Sequence, residues 1–160
     1  MANNTKILPI IESLMNVYGK PSSAVFGSSV FYNTLNYTPL ESEALNNYKA
    51  FLGGQWNADT ETRWKSTWKK CFERPKGTTP DILTELNGIK DADAKRSVPL
   101  LTELIDNADQ GKLALAAVFN HADMTKVEVY TVGDGEALSG LLLCGLFTEN
   151  TVCSVICLMD

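Results

Sequence analysis

Six basic side chains lie within fourteen residues: Arg63, Lys65, Lys69, Lys70, Arg74 and Lys76, opposed by one acid, Glu73. The chain carries a formal charge of −5, so with this segment at +5 everything outside it sums to −10. Trp64, Trp68 and Phe72 run through the same stretch at four-residue intervals. On a helix that spacing makes one aromatic stripe, with Lys65 and Lys69 on one flank and Arg63, Lys70 and Arg74 on the other. Cations set among aromatic rings can hold phosphates or the acidic surface of another protein, with the rings as anchors. The same pattern arises when the rings form a buried stripe and Lys and Arg stems cover its flanks. Charge contrast favours the first reading, ring spacing the second.

Other chemistry-bearing residues are sparse. His121 is the single histidine, with Asp123 two residues on. The pair could act as a general base, but no nucleophile stands near it in sequence, and a solvent-exposed turn is the simpler expectation. Zinc needs several nitrogen or sulfur ligands, and the four cysteines contain no C-x-x-C pair, so no metal or cofactor is expected. Cys144, Cys153 and Cys157 sit among Leu, Val and Ile, where a reduced thiol behaves as a small buried hydrophobe. Cys71 differs, since Lys69, Lys70 and Arg74 beside it could lower its pKa. Gly133-Asp134-Gly135 lacks the Lys-Ser/Thr of a phosphate loop and reads as a hairpin turn. The acids Asp91, Asp93, Asp106 and Asp109 have no calcium-loop spacing and read as solvated charge.

These residues need elements to hold them. Ile7, Ile10, Ile11, Leu14, Met15 and Tyr18 recur at helical spacing over Lys6 to Tyr18, with Gly19 as a stop. Ser22 to Tyr37 reads as a weak hairpin or irregular loop. Thr38-Pro39-Leu40-Glu41 looks like a capping box opening a helix to Leu52, ended by Gly53-Gly54. Asp59 or Thr60 then caps the basic-aromatic helix to about Arg74. Thr79-Pro80 opens a short helix to Leu86, and Ser97 caps another ending near Gly111, with Val98, Leu101, Leu104 and Ile105 inward. From Leu113 the apolar period becomes two, predicting strands over Leu113 to Phe119, Lys126 to Val132, Leu138 to Phe147 and Val152 to Leu158. Short connections make these four strands an antiparallel meander. If Glu149-Asn150 is a two-residue turn, Leu146 faces Cys153, Cys144 faces Val155 and Leu142 faces Cys157, with the thiols on one face.

The expectation is one α+β domain over residues 1–160, N-terminal helices packed on one face of a C-terminal four-stranded antiparallel meander. At 160 residues and 44% hydrophobic composition the chain is long enough for one well-buried core and too short for two comfortable domains. Its N-terminus lacks the basic and apolar regions of a signal peptide, so a cytoplasmic protein is expected. No apolar run approaches the roughly 20 residues of a membrane span, so no membrane partner is expected. The leading functional expectation is a non-enzymatic adaptor, inhibitor or immunity-type domain. It would bind an acidic protein through Arg63, Trp64, Lys65, Trp68, Lys69, Lys70 and Arg74. The alternative is a small-molecule-binding domain or enzyme with a pocket between sheet and helices, its polar groups drawn from Tyr130, Asp123 or His121. Nucleic acid ranks third, since the acidic chain (pI about 4.9) repels it at long range. A C-terminal edge strand would also let two copies pair.

Overall fold

The computed structural model describes residues 2–22, 26–35 and 38–159. Its elements run α1 (Ala2–Tyr18), β1 (Gly27–Thr34), α2 (Leu40–Leu52), a 3-10 turn (Gly53–Gln55), α3 (Glu61–Lys65), β2 (Lys69–Glu73), α4 (Ile82–Asn87), α5 (Ala92–Thr102), α6 (Ala108–Phe119), β3 (Met124–Gly133), β4 (Ser139–Phe147) and β5 (Thr151–Met159). The class is α+β, and the sheet has five antiparallel strands rather than four, in the order β1-β5-β4-β3-β2.

The three C-terminal strands form where period-two patterning places them. The strand expected over Leu113 to Phe119 is instead the second half of α6. Ala114, Leu115, Ala116 and Ala117 are short or unbranched and lose little freedom in a helix. Leu115, Val118 and Phe119 then share a buried face, while Leu113 is 73% exposed. The extra strands come from segments read otherwise. Within Ser22 to Tyr37, Gly27–Thr34 pairs along its full length with β5; residues 23–25 and 36–37 of that expectation lie outside the described residues. The basic segment is not one helix. It breaks after Lys65, and Lys69–Glu73 pairs with β3 through a register shift between Lys70 and Phe72. Short length, lysines and a bulge are ordinary features of an edge strand.

Helices cover both faces of the sheet, so the one-face expectation is also corrected. On one side α1, α4, α5 and α6 bury Ile7, Ile11, Leu14, Leu86, Leu101, Leu115 and Phe119 against Val127, Val129, Leu141, Leu143, Val155 and Cys157. On the other, α2 and α3 bury Tyr48, Phe51 and Trp64 against Tyr130, Leu142, Cys144 and Ile156. Each such side chain contributes about 1.5–3 kcal/mol through burial. Gly140 shows how tight the sheet is: a Cβ there would lie 1.7 Å from the Cys157 carbonyl oxygen.

Helix ends are corrected in detail. Thr38 and Glu41 form no capping box, and no side chain caps α2. Asp81 and Asp91 cap α4 and α5, accepting from the backbone N–H groups of Thr84 (3.2 Å) and Ala94 (3.0 Å). Ser97 is therefore inside α5, and Leu104 is exposed rather than inward. The β4–β5 connection has Asn150 in the left-handed region (φ 60°), with Thr151 opening the next strand. This longer turn shifts the register by one, pairing Leu146 with Val152, Cys144 with Ser154 and Leu141 with Cys157. A one-residue slip reverses faces. Cys144 accordingly joins the α2 side, while Cys153 and Cys157 join the other. Finally, β5 is hydrogen-bonded on both edges, so the C-terminal strand is not an edge and cannot pair two copies.

Candidate functional site

The segment Arg63 to Lys76 divides at Ser66. In α3, Trp64 is buried and its indole N–H donates to the Gln55 carbonyl at 3.0 Å. That bond and the burial hold a helix of only five residues in place. Arg63 lies over the Trp64 ring at 5.2 Å from its centroid, and one turn of structure away Lys49 lies 5.3 Å from the centre of the Trp56 ring. Arg63 and Lys65 are exposed. Neither forms an ion pair among the described residues.

Beyond Ser66, Lys69, Lys70 and Arg74 are already engaged, while Lys76 is exposed and forms no ion pair among the described residues. Lys69 meets Asp91 at 2.7 Å and Asp93 at 3.7 Å. The hydrogen bond that Lys69 donates to Asp91 raises the Lys69 pKa, and the same bond lowers that of Asp91. Lys70 meets Glu73 at 2.8 Å and Glu128 at 3.4 Å, which raises Lys70 and lowers Glu73. Arg74 is nearly buried. Its Nε and Nη2 donate to the two Glu85 carboxylate oxygens at 2.8 and 2.6 Å, and its Nη1 donates to the Phe119 carbonyl at 2.8 Å. A two-pronged guanidinium–carboxylate pair of this kind fixes geometry as well as charge.

The rings divide too. Trp64 and Trp68 belong to the α2 side of the sheet, whereas Phe72, turned by the bulge, packs on the opposite side. Trp68 stacks on Tyr130 (4.6 Å, 10°) and on Tyr48 (5.6 Å, 18°), and its N–H donates to Glu41 Oε2 at 3.0 Å. Below it the buried Tyr130 hydroxyl donates to Glu128, whose other oxygen faces Lys70 and Lys126 (3.6 Å). Burial, then the Glu128 bond, push the Tyr130 hydroxyl far above the ordinary tyrosine range. The expected helical stripe does not exist; an aromatic stack with a buried acid beneath it takes its place.

The remaining candidates stay apart. His121 Nδ1 accepts from the Asp123 N–H at 3.0 Å and its ring meets Phe147 edge-on, in the turn before β3. Tyr130 lies six residues along that strand, packed under Trp68, so the three residues expected to line one pocket do not converge. Burial, then Asp91, push the Cys71 thiol up to about 11, outweighing the opposite pull of Lys69. Burial also lifts Cys144 and Cys157 to about 12. Asp134 closes the Gly133-Asp134-Gly135 turn, its carboxylate accepting from the N–H groups of Glu136 and Leu138. No group of metal-ligating side chains occurs among the described residues. No helix among them is long and apolar enough to cross a membrane. Compared with known proteins, the chain matches no family model, no curated protein and no solved structure.

Sequence reasoning missed the Glu128–Tyr130 pair and the role of Arg74. The alternation Val127-Glu128-Val129-Tyr130 did carry a signal for the first, since it places acid and phenol on one face. Nothing local marks Glu85 as the partner of Arg74.

Proposed function

We propose that this protein is a non-enzymatic interaction domain that meets an acidic protein partner through the α3 corner, with Arg63 and Lys65 as its charged contacts. The observation that carries this reading is the contrast in pairing: among the described residues Arg63 and Lys65, like Lys76, have no counter-ion, while Lys69, Lys70 and Arg74 do, and only Arg63 and Lys65 stand together on one short helix. Trp64, buried beneath them, supplies a fixed base, so presenting the charges needs little further ordering of the backbone. Asp59 and Glu61 lie on the same segment, so the corner is a small patch rather than a broad positive field. A patch of that size adds to encounter rate and specificity more than to raw affinity.

Affinity capture with the wild-type chain and an Arg63→Ala/Lys65→Ala variant, at low and high salt, tests the proposal. The expected result is a partner that is retained at low salt and lost in the double variant, whose melting temperature is unchanged. Equal capture by both chains would reject the corner as the contact surface.

A further inference from the structure

A cleft of about 400 Å³ opens between the first half of α5 and the turn joining β3 to β4. Its size falls within the roughly 300–1,000 Å³ of small-ligand sites. The α5 wall presents Asp93, Arg96 and Ser97; the turn presents Glu136, and the start of β4 presents Ser139. Ser97 is the decisive residue. Only 2% of it is exposed, it lines the cleft, and its hydroxyl has no hydrogen-bond partner among the described residues. The residue is buried but its hydroxyl oxygen is not among the buried unpaired atoms, so its free side opens to the cleft, where a ligand can reach it.

The opposite wall is preformed. The Asp134 carboxylate accepts from the N–H groups of Glu136 at 2.8 Å and Leu138 at 3.0 Å, holding the turn. The Thr67 hydroxyl donates to the Gly133 carbonyl at 3.2 Å. Gly135 has φ +78°, and a Cβ there would lie 2.8 Å from Ser66 Oγ, so the turn packs closely on that residue. A wall fixed in this way loses little freedom when a ligand enters.

We propose that this cleft binds a neutral, polyhydroxylated small molecule of monosaccharide size. The lining carries two carboxylates, Asp93 and Glu136, and one guanidinium, Arg96; Asp93 already pairs with Arg96 and with Lys69 outside the cleft. A phosphate or carboxylate ligand meets two like charges there and no unpaired cation. A diamine finds Asp93 already paired, leaving Glu136 alone to hold one of its two charges. A sugar or cyclitol hydroxyl is both donor and acceptor, so neighbouring hydroxyls satisfy guanidinium N–H, carboxylate oxygen and the Ser97 hydroxyl together. Val132 and Leu138 supply apolar surface for its C–H face. The site uses neither Arg63 nor Lys65, so it stands or falls independently of the α3 corner.

The experiment is a titration of the full chain with glucose, mannitol and myo-inositol, followed by backbone amide shifts. Inorganic phosphate and putrescine serve as charged comparators. At least one polyol should give saturable shifts confined to residues 93–97 and 131–140. Ser97→Ala should weaken that binding by about tenfold, the worth of one good hydrogen bond, without lowering the melting temperature. Glu136→Gln, on an exposed turn where folding is not at stake, should weaken it as well. Absence of saturation by all three polyols would overturn the proposal, as would saturation by phosphate or putrescine alone. So would a loss of melting temperature in Ser97→Ala, because the hydroxyl would then already have a partner within the fold.

Discussion

Arg63 and Lys65 in α3, and Lys69, Lys70 and Arg74 in and beside β2, look alike in sequence and do different work. The first pair projects from a helix fixed by one buried indole. The second set is bound to carboxylates on other elements: Asp91 at the start of α5, Glu128 on β3 and Glu85 in α4. A run of cations is therefore not a surface until its counter-ions have been found. Those counter-ions lie eleven to fifty-eight residues away for Arg74 and for the Lys70–Glu128 contact, beyond the reach of local patterning.

The contrast can be broken most forcefully at Arg74. Arg74→Ala leaves the Glu85 carboxylate and the Phe119 carbonyl without their donor, and about 3–5 kcal/mol of stability should be lost in urea denaturation. An Arg74→Met/Glu85→Leu double variant should recover much of it, because burial costs fall with both charges removed. If Arg74→Ala proves as mild as a surface substitution, the division between the two sets of cations fails. Tyr130→Phe comes next. It withdraws the hydroxyl from buried Glu128 and should cost about 1–3 kcal/mol, read by the same measurement.

Titration sharpens the comparison further. Asp91 and Glu73 have lowered pKa values, through Lys69 and Lys70 respectively. Their contribution is present above the ordinary carboxylate range, about pH 4, and is lost as pH falls below it. Lys69 and Lys70 are raised, and so is Tyr130, mainly by burial. Those groups contribute fully below about pH 10 and lose that contribution as pH rises through it. Thermal unfolding should show a neutral plateau with two falling limbs, and Lys69→Ala should flatten the acid limb while Arg63→Ala leaves both unchanged. The smallest effects close the series. Lys69→Ala or Lys70→Ala should cost less than about 1 kcal/mol, both lysines being substantially exposed, and Arg63→Ala or Lys65→Ala should stay within about 0.5 kcal/mol.

The legible part of the fold is the part with local causes. Helices α1 and α2 announce themselves by apolar spacing and a following glycine, and β3 to β5 by alternation between turn residues. The opposite holds for β2, which is five residues long and bulged, with its identity set by an open edge on β3 sixty residues later. In α6, Leu113, Leu115 and Phe119 imitate a strand's alternation, and only the burial of Val118 between them reveals the helix. The β4–β5 turn is a matter of one residue, enough to separate Cys144 from Cys153 and Cys157. Around the site, the two readings of Trp64 and Trp68 were visible together in the sequence, and packing favours the inward one. The split between paired and unpaired cations was not visible, because it depends on which distant acids the fold delivers.

One of the two outer strands, β1, takes its in-sheet partner among the described residues from β5, with Gly27 beside Leu158 and Thr34 beside Thr151. Synthesis therefore delivers β1 more than a hundred residues before its template. Until residues 151–159 emerge, the first strand has no sheet to join and β4 presents an unpaired apolar edge. Closing so long a loop is slow compared with forming local hairpins. A chain in which β5 is missing or late therefore exposes two sticky edges at once, the condition under which strands pair with the wrong molecule.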